Sequence, residues 1–178
     1  MDNRYVKILA SGSKAPLKAT PGHFATNHAH INYYLDMTTL KTRLSEAQEV
    51  AKHLAERFLF DKVVDTIVCL EGTQVIGAYL AEELTRAGVL STNAHKTIYV
   101  ITPEYNSNSQ MVFRENILPM VHGKNVVILT AVVTTGLSLN KSIEAIQYYG
   151  GKLQSAAAVF STLDELNGCP ITSIYSPE

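Results

Sequence analysis

The sequence predicts an α/β domain: a mainly parallel sheet flanked by helices. Three observations point there. Short apolar runs at 63–70, 96–102, 126–133 and 152–162 read as strands, and the unbroken Val126, Val127, Ile128, Leu129 suits a strand buried on both faces. Segments at 45–59, 74–87 and 139–149 carry apolar residues at helical spacing. Two of the strands, 63–70 and 126–133, run into turns of small or hydroxyl-bearing residues that open the next helix. Alternation of this kind gives βαβ units with right-handed crossovers, whose ligands bind beyond the carboxyl ends of the strands.

Each element follows in order. Residues 1–22 carry Ser11, Gly12, Ser13, Pro16, Pro21 and Gly22 and read as an irregular arm. Residues 22–42, rich in His, Asn and Tyr without a helical period, read as loop and short strand. The first firm helix starts near Ser45, which forms a capping box with Gln48; Ala47, Val50, Ala51, Leu54, Phe58 and Leu59 make its apolar stripe, and Asp61-Lys62 ends it. After the strand at 63–70, a helix over 74–87 turns Val75, Ile76, Tyr79, Leu80 and Leu84 inward and closes at Gly88. The strand at 96–102 stops at Pro103. Residues 103–116 are polar, lack a period and read as a mobile loop. The strand at 126–133 then leads to a helix with Leu139, Ile143, Ile146 and Tyr149 on one face, ended by Gly150-Gly151. Strands at 152–162 and 171–175 close the chain. There is no internal repeat.

At 178 residues the chain fits one domain, an arm over 1–42 and an α/β core over 43–178. A net charge of −1, with 46% apolar and 17% charged residues, gives no long-range pull towards nucleic acid or acidic membrane, so neither partner is expected. No apolar run approaches a membrane span. Cys69 and Cys169 are too few for a disulfide framework, and Cys69 reads as a reduced core residue of a cytoplasmic protein.

Two turns therefore carry the functional reading. Thr134, Thr135, Gly136, Leu137 and Ser138 set backbone N–H groups and hydroxyls at a helix N-terminus, an arrangement that accepts a phosphate dianion; the plain alternative is an N-capped helix with a glycine easing the turn. Glu71, Gly72, Thr73 and Gln74 likewise open a helix, and the plain alternative is a βα turn with Thr73 as N-cap.

The stretch 124–149 resembles the phosphoribosyl-pyrophosphate (PRPP) motif of type I phosphoribosyltransferases: an apolar strand, two acidic residues, then a threonine- and glycine-rich loop opening a helix. The loop half matches, whereas Thr130 and Ala131 stand where the family carries carboxylates. The segment from Phe24 to Tyr34-Leu35-Asp36 is similar to the N-terminal hood of orotate phosphoribosyltransferases, with His28-Ala29-His30 in place of Ser-Gly-Lys. The resemblance implies a type I phosphoribosyltransferase fold with a small hood. It also implies transfer of a phosphoribosyl group from PRPP to a nitrogenous base such as orotate, with Mg²⁺ and release of pyrophosphate, as in pyrimidine nucleotide metabolism. Thr134 to Ser138 would hold the 5′-phosphate, Glu71 to Gln74 the pyrophosphate, and Phe24, His30 and Tyr34 the base, in a homodimer. His28 and His30 lack a third ligand for a metal.

Against catalysis stand the neutral Thr130-Ala131 pair and a loop at 103–116 whose one cation is Arg114. Thr130 and Arg114 are the remaining catalytic candidates, with Arg114 also readable as a surface residue. A non-catalytic relative that binds PRPP or a nucleotide 5′-phosphate is the rival reading, and an α/β interaction domain with a vestigial site is a third.

Overall fold

A computed structural model describes residues 6–8, 15–25, 30–57, 61–86 and 91–177. Its N-terminal part corrects the expectation of an irregular arm over 1–22 and bears out a short strand within 22–42. Strands β1 (Val6–Ile8), β2 (Leu17–Ala25) and β3 (His30–Asp36) form an antiparallel sheet in that order. A short helix, α1 (Thr38–Thr42), follows. Leu17 and Ala19 are buried and alternate with the half-exposed Lys18 and Thr20, the period of a strand with one covered face. Pro21 lies inside β2 because the pairing with β3 slips between Pro21 and Phe24, a bulge that relieves the ladder of its missing N–H.

Helix α2 (Leu44–Arg57) begins one residue before Ser45. The N–H of Ala47 bonds to the carbonyl of Arg43, so Ser45 sits inside the first turn and the expected capping box is not the cap. Thr39 Oγ1 instead donates to the buried first-turn Glu46 at 3.1 Å, which ties α1 to α2 and leaves a carboxylate at the positive end of the helix. Ala47, Val50, Ala51 and Leu54 are buried as the stripe requires, while Phe58 and Leu59 lie outside the described residues.

Strand β4 (Thr66–Cys69) is shorter than the apolar run that announced it and leads into α3 (Gln74–Thr85); the expected closing Gly88 is outside the described residues. A Cβ on Gly77 would lie 2.4 Å from Cys69 Sγ, so α3 rests directly on β4. After β5 (Tyr99–Ile101), the stretch expected as a structureless loop holds a hairpin, β6 (Glu104–Tyr105) and β7 (Met111–Val112). Asn106 makes it: its side-chain oxygen accepts from the N–H groups of Asn108 and Gln110, local bonding that a polar run conceals from a periodicity search. Phe113 pins its base edge-to-face on Tyr149, 5.3 Å between ring centres.

The remaining elements are β8 (Asn125–Val133), α4 (Leu137–Tyr148), β9 (Lys152–Ser161), β10 (Glu165–Leu166) and β11 (Cys169–Tyr175). The main sheet has the order β10-β11-β9-β8-β4-β5, parallel throughout except for the edge pair β10–β11. Both faces are covered. Ile67, Val127, Leu129, Ala157 and Val159 belong to the core shared with α2 and α3, and Val68, Ile128, Ala156 and Ala158 to the core shared with α4, Met111 and Phe113. A one-residue slip of β8 would exchange these sets; the two cores therefore lock its register. Met37 and Leu40 join the core that contains Leu129 and Ala131, which fixes the N-terminal sheet near the carboxyl ends of the central strands. The Tyr175 hydroxyl donates to the Ala15 carbonyl and ties the same unit to β11. No helix among the described residues is long and apolar enough to cross a membrane.

Candidate functional site

β4 and β8 are neighbours, so the turns that follow them lie side by side, about 5 Å apart by ordinary strand spacing. In the turn after β8, Thr134, Thr135, Leu137 and Ser138 are exposed and Gly136 is buried. Gly136 has φ +81, and a Cβ there would meet Leu163 at 3.0 Å and Leu166 at 3.1 Å, so backbone and packing both require glycine. α4 has no side-chain cap. Leu137 N–H reaches Thr135 Oγ1 at a weak 3.4 Å, and the first N–H to bond back along the helix is that of Asn140, to Gly136 O at 2.8 Å. The hydroxyls of Thr134 and Ser138 have no partner among the described residues, whereas the Thr134 carbonyl is held by Thr162 Oγ1 at 2.5 Å. The turn is thus a rigid rim with open donors at a helix N-terminus, in contrast to the capped helix of the plain alternative.

The turn after β4 is built differently. Thr73 stands at the N-cap position of α3, yet its hydroxyl donates to Leu70 O at 2.7 Å and Leu129 O at 3.2 Å, its N–H donates to Leu70 O, and it is fully buried. It stitches β4 to β8 and presents nothing outward. Glu71 and Gly72 are exposed, as is Gln74, and the first two are left-handed, φ +56 and +73. A left-handed glutamate is strained by about 1 kcal/mol or more. Two contacts hold it. Lys41 Nζ, from α1, donates to Glu71 O at 2.9 Å, and the Val132 N–H donates to Glu71 Oε2 at 3.3 Å. Tyr105 on the hairpin is 55% exposed; partial burial raises its hydroxyl pKa, and the Glu71 carboxylate adds to the rise.

Sequence reasoning missed Lys41, because it meets the turn across 30 residues of chain. Thr130 and Ala131 are both 3% exposed at the end of β8, packed rather than displayed. Arg114, two residues beyond β7, is paired through two guanidinium nitrogens with Glu104 of β6 at 2.9 Å, an exposed bridge. Of the expected base-covering residues, Phe24 pairs with Ile31 and His30 with Ala25 in the β2–β3 ladder, their side chains lying outside the described part of the structure. Tyr34 is 52% exposed on β3. Depressions of about 390 Å³, between the N-terminal sheet and α2, and about 290 Å³, between α2 and α3, are lined by none of the turn residues.

A protein-held Mg²⁺ takes one or two carboxylates within an octahedron of oxygens. No cluster of three or more His, Cys, Asp or Glu side chains suited to a metal occurs among the described residues, and the turns offer only Glu71, which already accepts from Val132. These residues do not fit a Mg²⁺ held by the protein. Burial raises the Cys69 thiol to about 12, only partly offset by its hydrogen bond with Thr73, so it stays protonated.

Sequence comparison finds no matching family model and no matching curated protein. Structural comparison does find relatives. Leishmania donovani UMP synthase superposes with a TM-score of 0.65 at 17% identity over 89% of this chain, which spans only 33% of that protein. Mycobacterium tuberculosis orotate phosphoribosyltransferase gives 0.60 at 16% identity over 90% of each chain. Leishmania donovani adenine phosphoribosyltransferase gives 0.61 at 11% identity, over 90% of this chain and 76% of the other.

The chain has the type I phosphoribosyltransferase fold.

Pyrimidine- and purine-linked relatives superpose about equally well, so the phosphoribosyltransferase fold is common ground and the base is not.

Proposed function

We propose that this phosphoribosyltransferase-like chain binds PRPP or a nucleotide 5′-phosphate, with the phosphate at residues 134–138. The observation that carries this reading is the rim itself: a left-handed Gly136, an uncapped α4 and the unpartnered hydroxyls of Thr134 and Ser138 at the carboxyl end of β8. A dianion there gains several charge-assisted hydrogen bonds with little reorganisation of the turn. Structures of the Mycobacterium tuberculosis enzyme in complex with PRPP and with inorganic phosphate share this fold and support the ligand class.

A second reading, binding without turnover, is favoured by a specific observation. Thr130 and Ala131 are neutral and buried, and the hairpin's Arg114 is neutralised by Glu104. Charge stabilisation of a leaving pyrophosphate is commonly the largest catalytic contribution, and its usual cations are lacking on the hairpin. Mg²⁺ belongs to the catalytic reading alone, carried by the ligand's phosphates. Calorimetry with PRPP and a nucleoside 5′-monophosphate tests binding, and pyrophosphate release with orotate, uracil and purine bases tests transfer. Binding without release of pyrophosphate supports the second reading; absence of both overturns the proposal.

A further inference from the structure

Glu71 stands between the phosphate turn and Lys41. Its carboxylate meets the N–H of Val132, two residues before Thr134, which places an acceptor about 7 Å along the strand from the phosphate turn. That separation is within the reach of a pentose 5-phosphate, from its phosphate to its ring hydroxyls. A carboxylate there cannot accept the ligand's charge: it repels phosphate oxygens and accepts hydrogen bonds from donors. The group beside it must therefore carry hydrogen-bond donors, which on a pentose 5-phosphate at that distance are the ring hydroxyls. The strand itself supplies none of this chemistry, since Thr130 and Ala131 are packed inward.

We infer that Glu71 is the residue that recognises the sugar, accepting hydrogen bonds from the 2- and 3-hydroxyls of a ribose 5-phosphate moiety and so selecting ribo over deoxyribo ligands. Lys41 is a positioning residue: its bond to the Glu71 carbonyl holds the left-handed backbone that turns the carboxylate towards β8. Glu104 and Arg114 neutralise each other on the hairpin, and Lys41 points its ammonium at the Glu71 carbonyl, leaving the carboxylate as the acceptor facing the sugar.

This inference rests on the phosphate-turn reading, and its test separates the two. Inorganic phosphate, ribose 5-phosphate and 2-deoxyribose 5-phosphate are titrated calorimetrically into the wild-type chain and into Glu71→Gln, whose amide oxygen still accepts from Val132. The wild type is expected to bind the ribo ligand about tenfold more tightly than the deoxy ligand, the worth of roughly one charge-assisted hydrogen bond. Glu71→Gln should lose most of that preference and bind inorganic phosphate at least as well as the wild type. Equal affinity of the wild type for both sugars overturns the inference without any variant, and so does a preference that survives in Glu71→Gln. If the wild type binds neither sugar phosphate nor phosphate, the phosphate-turn reading falls, and this inference falls with it.

Discussion

The two ends of the central sheet are made from similar residues and put them to opposite use. At the amino end Asp65, Asn93 and Thr66 all find partners within the chain. Asp65 accepts from Lys96 Nζ at 2.9 Å and from both the N–H and the side-chain amide of Asn125 at 2.8 Å. The fully buried Asn93 accepts from Val64 N–H and donates to Lys62 O, and Thr66 donates to Met120 O. At the carboxyl end, the hydroxyls of Thr134 and Ser138 have no partner among the described residues, α4 starts uncapped and Glu71 is held left-handed. A closed network contributes to stability; open donors contribute nothing until a ligand arrives. Under the proposed function, ligand binding belongs to one end of the sheet and stability to the other, and substitutions should separate the two.

The largest effect is expected from Gly136→Val. The side chain must adopt a left-handed backbone and displace Leu163 and Leu166, so the phosphate rim deforms. Affinity for a nucleoside 5′-monophosphate should fall at least a hundredfold by calorimetry, while the circular-dichroism spectrum keeps its α/β form.

Asp65→Ala probes the other end. It strands the Asn125 N–H and Lys96 and should lower unfolding free energy by about 1–3 kcal/mol in urea titration, with phosphate affinity unchanged. The same carboxylate gives a pH signature. Burial tends to raise the Asp65 pKa, but the hydrogen bonds from Lys96 and Asn125 and the charge of Lys96 outweigh it, so the folded value is depressed. Its stabilisation is therefore complete above the unfolded value of about 3.9 and is lost as pH falls through the lower folded value. Acid titrations should show wild type losing more stability than Asp65→Asn below about pH 4.

Smaller still is Lys41→Met. It removes one donor from Glu71 O and should weaken sugar-phosphate binding a few-fold while leaving inorganic phosphate affinity unchanged. The smallest effect belongs to Arg114→Gln. The pair it breaks with Glu104 is exposed, and ligand affinity should not move; a large loss of binding would place a catalytic or binding role on the hairpin after all.

Much of this architecture was legible in the sequence because burial on both faces leaves an unambiguous apolar run, as in Val126 to Leu129, and because Leu139, Ile143 and Ile146 repeat at helical period. The N-terminal sheet was not legible. Pro16, Pro21 and Gly22 mark turns in isolation, but Leu17 acquires a buried face only in the core it shares with Met37 and Leu40. α1 is too short to show a period, and the 104–112 hairpin is organised by one asparagine side chain rather than by apolar alternation. The exposed, uncapped turn at 134–138 was legible from its residue types, because its hydroxyls and glycine are contiguous in one turn. The second turn depends on direction. Thr73 and Glu71 are two residues apart, yet one folds its hydroxyl under the sheet and the other extends its carboxylate to β8, and no local signal distinguishes them. Lys41 is invisible for the same reason: its partner lies 30 residues away.

The central claim is that the carboxyl end of β8 seats a phosphate and the Glu71 turn faces the sugar. A crystal structure of the chain with a bound ribonucleoside 5′-monophosphate tests it most directly. The phosphate should sit within hydrogen-bonding distance of the N–H groups and hydroxyls of 135–138, with the ribose hydroxyls turned to Glu71. A nucleotide bound elsewhere, or one whose phosphate lies against Glu71 and whose sugar faces away, would contradict the account.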